Sequence, residues 1–446
     1  MSTNITSRAA TRSAATETET HRAANAKRAA MASLFGGMLE YYDFYIYATA
    51  AALVFNRVFF DSDGVAATLA SLATFGVAYV ARPFGAIVLG HFGDRVGRKQ
   101  VLIIILLLMG VATFLIGCLP SAAQIGIWAP ILLVVLRLLQ GVSAGAETAT
   151  ASTLTIEVAP EGKRARYVVW SPNGIVAGFV LASVVFVPIA MMPEEQLFAW
   201  GWRIPFWASF LVLIVGYLVR RKLEEPEAFL EARESNELAA MPLFEVLRDN
   251  RAAVLRVALC ALFALTNTIV AVWGLSFATG AVGLERSTML WVAVASNVLA
   301  FFTQPLLAAL SDKIGRKPLF LGGAVGCGVL IFPYFQVLAS GNVPLIFLMA
   351  FLLTSLAYGA LNATYATFFA EMFPLRTRNT GMAVGIQLGF VLVGFAPAIA
   401  SLLTASNPTN WMPVAIFVAI TNIIAGASAL SAKETAHTPL KELGKS

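Results

Sequence analysis

Twelve apolar segments, each about 20 residues or longer, divide this chain and set what it can fold into. They fall at roughly 32–57, 67–92, 100–119, 129–154, 166–192, 203–220, 252–279, 287–309, 318–339, 343–369, 379–404 and 410–431. About 20 apolar residues in a helix cross a hydrocarbon core of roughly 30 Å. Lipid offers no partners to backbone N–H and C=O groups, so segments of this length are expected as helices and not as open strands. Composition agrees: of 446 residues, 58% are hydrophobic and 13% are charged. A soluble domain carries about 25% charged residues, so an ordinary soluble enzyme is excluded. The expected fold is all-α, a polytopic membrane protein with twelve transmembrane helices.

The net charge of +6 is explained by where the basic residues lie. One side of the membrane collects Arg8, Arg12, Arg22, Lys27 and Arg28, then Arg95, Arg98 and Lys99, then Lys163, Arg164 and Arg166. Lys313, Arg316, Lys317, Arg376, Arg378 and the C-terminal lysines share that side, whereas the opposite loops hold only Arg57, Arg203 and Arg286. The positive-inside rule places both termini in the cytoplasm of a cell whose inner membrane the chain spans several times. The basic balance thus reflects topology and contact with the bilayer, and no nucleic-acid partner is expected. Three cysteines in apolar blocks and three scattered histidines give no disulfide framework, no metal site and no cofactor motif.

Residues 1–31 are polar and lack an apolar core, so they are expected as a disordered cytoplasmic tail and not a secretory signal. A six-helix bundle over 32–220 follows. A charged stretch over 221–251 separates it from a second bundle over 252–431, and 432–446 is a second cytoplasmic tail. The halves carry a repeat. Gly93–Lys99 reads GDRVGRK and Ser311–Lys317 reads SDKIGRK, while Glu157-Val-Ala-Pro160 with Arg164 recurs as Glu371-Met-Phe-Pro374 with Arg378. The first pair of motifs is 218 positions apart and the second 214. Two motifs in the same order, at nearly one spacing and on one side, indicate halves of parallel orientation with a site between them near the midplane.

Several stretches carry a family resemblance over nearly all of residues 30–431: Glu40-Tyr-Tyr-Asp-Phe44, Ala81-Arg-Pro-Phe-Gly85 running on to Lys99, Arg137-Leu-Leu-Gln-Gly141 through Glu147, and Trp200-Gly-Trp-Arg-Ile-Pro-Phe206. With these the chain resembles the major facilitator superfamily and, within it, the metabolite:proton symporters. It departs in having Tyr41 or Tyr42 where the family has Trp or Phe, and Ala146 where it has Gly. The resemblance implies uptake of small carboxylates or zwitterionic osmolytes with a proton, by alternating access, in a functional monomer.

Ionisable side chains inside spans are costly and mark function by default. They are Glu40 and Asp43 in span 1, Arg82 in span 2, and Arg137 and Glu147 in span 4. The deep second half has none. Counting 1.5 Å per residue, Asp43 lies roughly 16–18 Å from the cytoplasmic face and Arg137 about 18 Å from it. At one level, they are expected to pair. Two readings follow: a proton-coupling switch, in which substrate occupying Arg137 releases Asp43 to take a proton, or a permanent ion pair fixing two helices. The resemblance favours the first. Glu40, one turn away at i−3, is either a second proton station or a vestibule residue. Arg82 reads as a packing or snorkelling residue beside the kink of Pro83, and Glu147 as a gate or helix-pairing residue.

The duplicated loops read as two cytoplasmic gate clusters, one per half. Asp94, Arg98, Glu157 and Arg164 belong to the first, and Asp312, Arg316, Glu371 and Arg378 to the second. Uncharged polar residues give the substrate candidates Tyr47, Gln140, Asn173, Asn267, Trp273, Asn297, Tyr358, Asn362 and Gln387, with Arg137; any one of them serves equally as interhelical glue. Gly381, Gly385, Gly389 and Gly394 mark span 11 as closely packed. No phosphate-binding loop of the Gly-Lys-Ser/Thr type is present, so the expected work is secondary transport of a small polar metabolite with protons. A proton-coupled exporter of drug-like molecules is the alternative.

Overall fold

The structure, a computed structural model, describes the backbone over residues 3–60, 65–96, 98–145, 147–221, 243–374, 377–439 and 442–443. Side chains are described over 26–60, 66–85, 103–145, 148–157, 159–214, 217–218, 246–374, 377–439 and 442–443. Every regular element among these residues is a helix. In the first half, span 1 lies in Thr3–Leu53, span 2 in Val65–Val96, span 3 in Arg98–Cys118, and span 4 in Trp128–Ser143 with Glu147–Val158. Span 5 runs through Arg164–Val168 and Trp170–Ala190, and span 6 is Ile204–Arg221. In the second half, spans 7 to 12 are Arg251–Gly280, Arg286–Ile314, Arg316–Ser340, Val343–Glu371, Arg378–Leu403 and Met412–Leu430. The chain is an all-α membrane protein of twelve transmembrane helices in two halves.

Two segments expected as tails behave otherwise. The helix of span 1 reaches back to Thr3. Residues 3–35 contain many alanines and no Gly or Pro, so a helix already nucleated in the membrane extends through them at little cost. At the other end, Ala432, Thr435 and Ala436 are buried. Most of the linker, 222–242, lies outside the described residues; it resumes as a short helix, Leu243–Asp249.

Glycines set the tightest helix contacts. A Cβ on Gly141 of span 4 would run into the carbonyl oxygen of Ala78, and one on Gly85 of span 2 into that of Val142. Neither neighbour can give way, because both are backbone. Gly141→Ala is therefore expected to destabilise the first half by about 1–3 kcal/mol, the usual cost of overpacking. It should be read as a lower unfolding temperature in detergent. On span 11, Gly385 and Gly389 let that helix close on Val257 and Ala258 of span 7.

Three irregularities in the helices bear on function. Span 4 breaks at Ala144–Gly145, and the freed Gly145 carbonyl accepts from Gln387 Nε2 of span 11 at 2.8 Å. Spans 7 and 10 each contain a π-helical turn, Ile269–Trp273 and Phe351–Ala357. Such turns displace the ladder by one residue and cluster at functional sites.

Candidate functional site

A small cavity of about 30 Å³ lies between the halves. The first half contributes Thr49, Phe179 and Ser183; the second contributes Asn267, Ser296, Asn297 and Tyr334, with Val270 and Thr354 from the two π turns. Of the substrate candidates, Asn267 and Asn297 line it. Asn267 donates to the Tyr45 hydroxyl at 3.2 Å and so joins spans 7 and 1 beside the cavity. Asn297 donates to the Ala293 carbonyl, leaving its oxygen available to the cavity.

The other candidates are spread through the structure. Asn173 bridges the halves by donating to the Phe301 carbonyl at 2.9 Å, and Gln387 bridges them through Gly145. Asn362 donates to Gln304 Oε1 at 3.1 Å within the second half. Trp273 stacks on Phe277 with centroids 5.0 Å apart, and Tyr358 packs on Phe263 at 5.6 Å. Four of these five pairings join different helices, the role of interhelical glue left as an alternative; the Trp273–Phe277 stack lies within span 7.

Asp43 and Arg137 are both buried, but they do not form the direct pair expected from their depths. Arg137 Nη1 donates to Gln140 Oε1 at 2.9 Å, and its Nη2 donates to the Phe75 carbonyl at 3.3 Å. Its charge rests on rings, 3.9 Å from the Tyr47 centroid and 4.6 Å from that of Phe44. Tyr47 is fixed in turn by donating to Thr74 at 2.6 Å. Gln140 Nε2 donates to the Thr113 hydroxyl at 2.7 Å, which itself donates to the Met109 carbonyl at 2.9 Å, and the Asp43 carboxyl lies in the neighbourhood of Thr113. The two ionisable groups thus stand at opposite ends of a polar line, Asp43–Thr113–Gln140–Arg137. Depth alone fixed their level but not their rotation about the helix axes, and the aromatic faces met the cation instead. Asp43 Oδ1 has no hydrogen-bond partner among the described residues.

Arg82, expected to pack or to snorkel, is packed: only 1% of its surface is exposed. Its guanidinium sits 4.2 Å from the Phe44 centroid, 4.5 Å from that of Tyr79 and 5.9 Å from that of Tyr41. Glu40 lies in the field of the same Tyr41 and Arg82.

Among the described residues, the duplicated loop charges meet across the two halves. Arg164 of the first half reaches Glu371 of the second at 3.1 Å. Arg316 binds Glu371 at 3.3 Å and Asp312 at 2.8 Å. Asp312 in turn accepts from the backbone N–H groups of Ala165 and Arg166, capping the start of span 5. Arg378 donates to the Ala370 carbonyl and lies in the field of Glu157. The side chains of Asp94, Arg98 and Glu147 lie outside the described residues. Two cations facing two carboxylates keep the cluster neutral in net charge, as burial demands.

The C-terminal segment completes this closure. Arg164 Nη2 donates to the carbonyls of Thr435, Ala436 and Thr438, and the Thr435 hydroxyl donates to Glu371 at 2.6 Å. Glu434 accepts from the backbone N–H groups of Arg316, Lys317, Thr435 and Ala436. Partial burial works to raise its pKa, but these four donors hold the carboxyl below the usual range. At the opposite end of the spans, Glu194 bridges Arg286 at 2.7 Å and Arg57 at 3.3 Å, so two of the three arginines of those loops meet there. The hydrogen bond from Arg286 holds Glu194 below the usual carboxylate range. That tie is exposed and worth at most about 1 kcal/mol, far less than the buried inner cluster.

Little in the sequence marks several of these parts: Thr113 is a lone hydroxyl in an apolar run, Glu434 is a single acid after the last span, and Glu194 is one of two adjacent acids opening a short helix between spans. Tyr45 was more accessible to reading, since it lies at i+4 from Tyr41 and shares its face.

The resemblances to known proteins agree with this architecture. Residues 29–258 match the family described as Sugar (and other) transporter, and residues 257–445 match the Major Facilitator Superfamily. The shikimate transporter of Escherichia coli K12 is 38% identical over 419 residues, covering 92% of this chain and 95% of that protein. An inner membrane metabolite transport protein of the same organism is 37% identical, over 84% of this chain and 87% of its own. Among solved structures, a proton:xylose symporter superposes with a TM-score of 0.74 at 18% identity, over 95% of this chain and 99% of that one. At that identity the likeness concerns the fold alone.

Proposed function

This chain belongs to the major facilitator superfamily of membrane transporters, and on that premise we propose that it imports a small polar metabolite together with protons across the inner membrane. Both termini face the cytoplasm, as the distribution of Arg and Lys requires. The substrate is a small carboxylate or zwitterion, and it crosses as the two halves rock about the central cavity.

The observation that carries the reading is the polar line from Asp43 to Arg137. A buried carboxyl with no cation in contact is held at least cost as the neutral acid. Gln140 and Thr113 stand between it and a guanidinium, and through them a change at either end is felt at the other. Outside, Asp43 takes a proton and the substrate enters the cavity. The weak Glu194 tie then closes over it. The inner cluster around Glu371 opens, both cargoes leave, and the empty carrier returns. Glu40, one turn nearer the cytoplasm, extends the proton route in that direction.

The described residues lining the cavity include no Asp or Glu, which speaks against an exporter of drug-like cations, whose site needs an acid in the cavity. Import is tested with purified protein in liposomes. Labelled shikimate, the substrate named for one relative, should accumulate when the outside is made more acidic, and a protonophore should abolish the accumulation. Uptake indifferent to the gradient, or transport in the efflux direction alone, would refute the reading.

A further inference from the structure

Two arginines are buried in the first half, and their hydrogen bonds differ in a way that separates their roles. Arg137 spends Nη1 on Gln140 and Nη2 on the Phe75 carbonyl; Nε alone is unpartnered. Arg82 has neither Nε nor Nη2 partnered, although the residue is 1% exposed. Those two nitrogens form one edge of the guanidinium. Their parallel N–H bonds match the two oxygens of a carboxylate, the bidentate geometry that Arg recognises best. Buried donors without acceptors are costly, and here two donors point the same way.

The surroundings favour an anion that arrives and leaves. Rings of Phe44, Tyr79 and Tyr41 surround the cation and exclude water, and the Glu40 carboxyl acts on it through its field while leaving the Nε–Nη2 edge without an acceptor. The cage faces both halves: Tyr365 of span 10 lies in the field of Arg82, Tyr41, Tyr45 and Glu40, and Tyr358 in that of Tyr41 and Tyr45. It also adjoins the cavity. Tyr41 and Tyr45 have ring centroids 6.1 Å apart, and Tyr45 accepts from the cavity-lining Asn267. The cavity itself offers hydroxyl and amide groups from Thr49, Ser183, Asn267, Ser296, Asn297 and Thr354 but no cation. A metabolite with one carboxylate and several hydroxyl groups needs both parts.

We propose that the Nε–Nη2 edge of Arg82, and not Arg137, receives the carboxylate of the transported metabolite, with Tyr41 and Tyr365 beside it. The assignment rests on the transport reading for its ligand but is separate from it in test. Arg137 then remains the sealed end of the line to the proton site at Asp43, and the substrate's arginine and the proton line's arginine meet at Phe44, whose ring both guanidinium groups face.

The test compares shikimate with its uncharged methyl ester on detergent-purified protein. Wild type should bind the acid at least tenfold more tightly than the ester. Arg82→Lys keeps the charge but loses the fork, and should weaken acid binding about tenfold or more while leaving ester binding in place. Arg137→Lys should preserve the ratio of acid to ester. A measurement free of folding effects uses wild type alone: shikimate, but not the ester, should slow phenylglyoxal modification of the peptide containing Arg82, read by mass spectrometry. The assignment is overturned if wild type shows no preference for the acid, if Arg82→Lys keeps the full preference, or if shikimate protects the Arg137 peptide instead. Uptake without a proton requirement, with the acid preference still dependent on Arg82, would refute the coupling and leave this site standing.

Discussion

Liposomes containing Asp43→Asn are expected to lose concentrative uptake altogether while still exchanging labelled for unlabelled substrate. Asparagine has nearly the shape of the protonated acid, so the Thr113–Gln140–Arg137 line keeps its geometry. What disappears is the ability to release and take up a proton. In wild type, each coupled proton lets a one-unit inward pH gradient support about tenfold accumulation, since one pH unit is worth about 1.4 kcal/mol. In the variant that factor should fall to one, with exchange slowed far less than net uptake. Loss of exchange as well would mean that Asp43 holds the helices together, the alternative of a structural role. Normal accumulation would place proton coupling elsewhere.

The second large effect is expected at Glu371. Its carboxylate receives Arg164, two nitrogens of Arg316 and the Thr435 hydroxyl, and all three charged side chains are at most 4% exposed. Glu371→Gln keeps the shape and removes the charge, leaving two buried guanidinium groups facing Asp312 alone. Breaking a buried pair in this way costs about 3–5 kcal/mol. Most of that cost falls on the state with the inner side closed, because opening lets water reach the freed cations. The conformational balance should therefore move toward an inner-open state by a factor of roughly 10² or more. Thr367 is fully buried one turn before Glu371, so Thr367→Cys in a Cys118→Ser background reports the change. Maleimide labelling from the cytoplasmic side should speed up at least tenfold in Glu371→Gln. An unchanged rate would show that the cluster anchors the loops without gating them. If Glu371→Gln is poorly folded, Thr435→Val, which removes one hydrogen bond and no charge, should give a smaller acceleration in the same direction.

The spans, the two halves and the side on which the basic loops gather were legible because the bilayer imposes length and charge rules that act one segment at a time. The gate was partly legible for the same reason. Arg316, Glu371 and Arg164 stood out as duplicated charges, but duplication suggested one cluster per half. Closure instead sends Arg164 across to Glu371, a pairing between elements that no local spacing encodes. Asp43 and Arg137 show the same limit. Rise per residue gave a common depth, yet whether two side chains touch depends on helix rotation and on which neighbours intervene. Gln140 was legible beside Arg137, whereas Thr113 comes from span 3 and had no mark of its own. Arg82 was legible as a packing residue beside Pro83, but the rings that enclose it were not, because they come from span 1 as well as span 2. The tail around Glu434 was illegible because its partners, the first N–H groups of span 9, exist only once that helix has formed.

The central claim is that one carrier moves substrate and proton in the same direction, and the movement of the proton itself tests it most directly. Wild-type protein is reconstituted in liposomes containing a pH-sensitive dye, with equal pH on both sides and the membrane potential clamped. Adding shikimate outside should acidify the interior as protons follow the substrate in, and Asp43→Asn should give no such signal. Substrate entry without internal acidification, or acidification that persists in Asp43→Asn, would contradict the account.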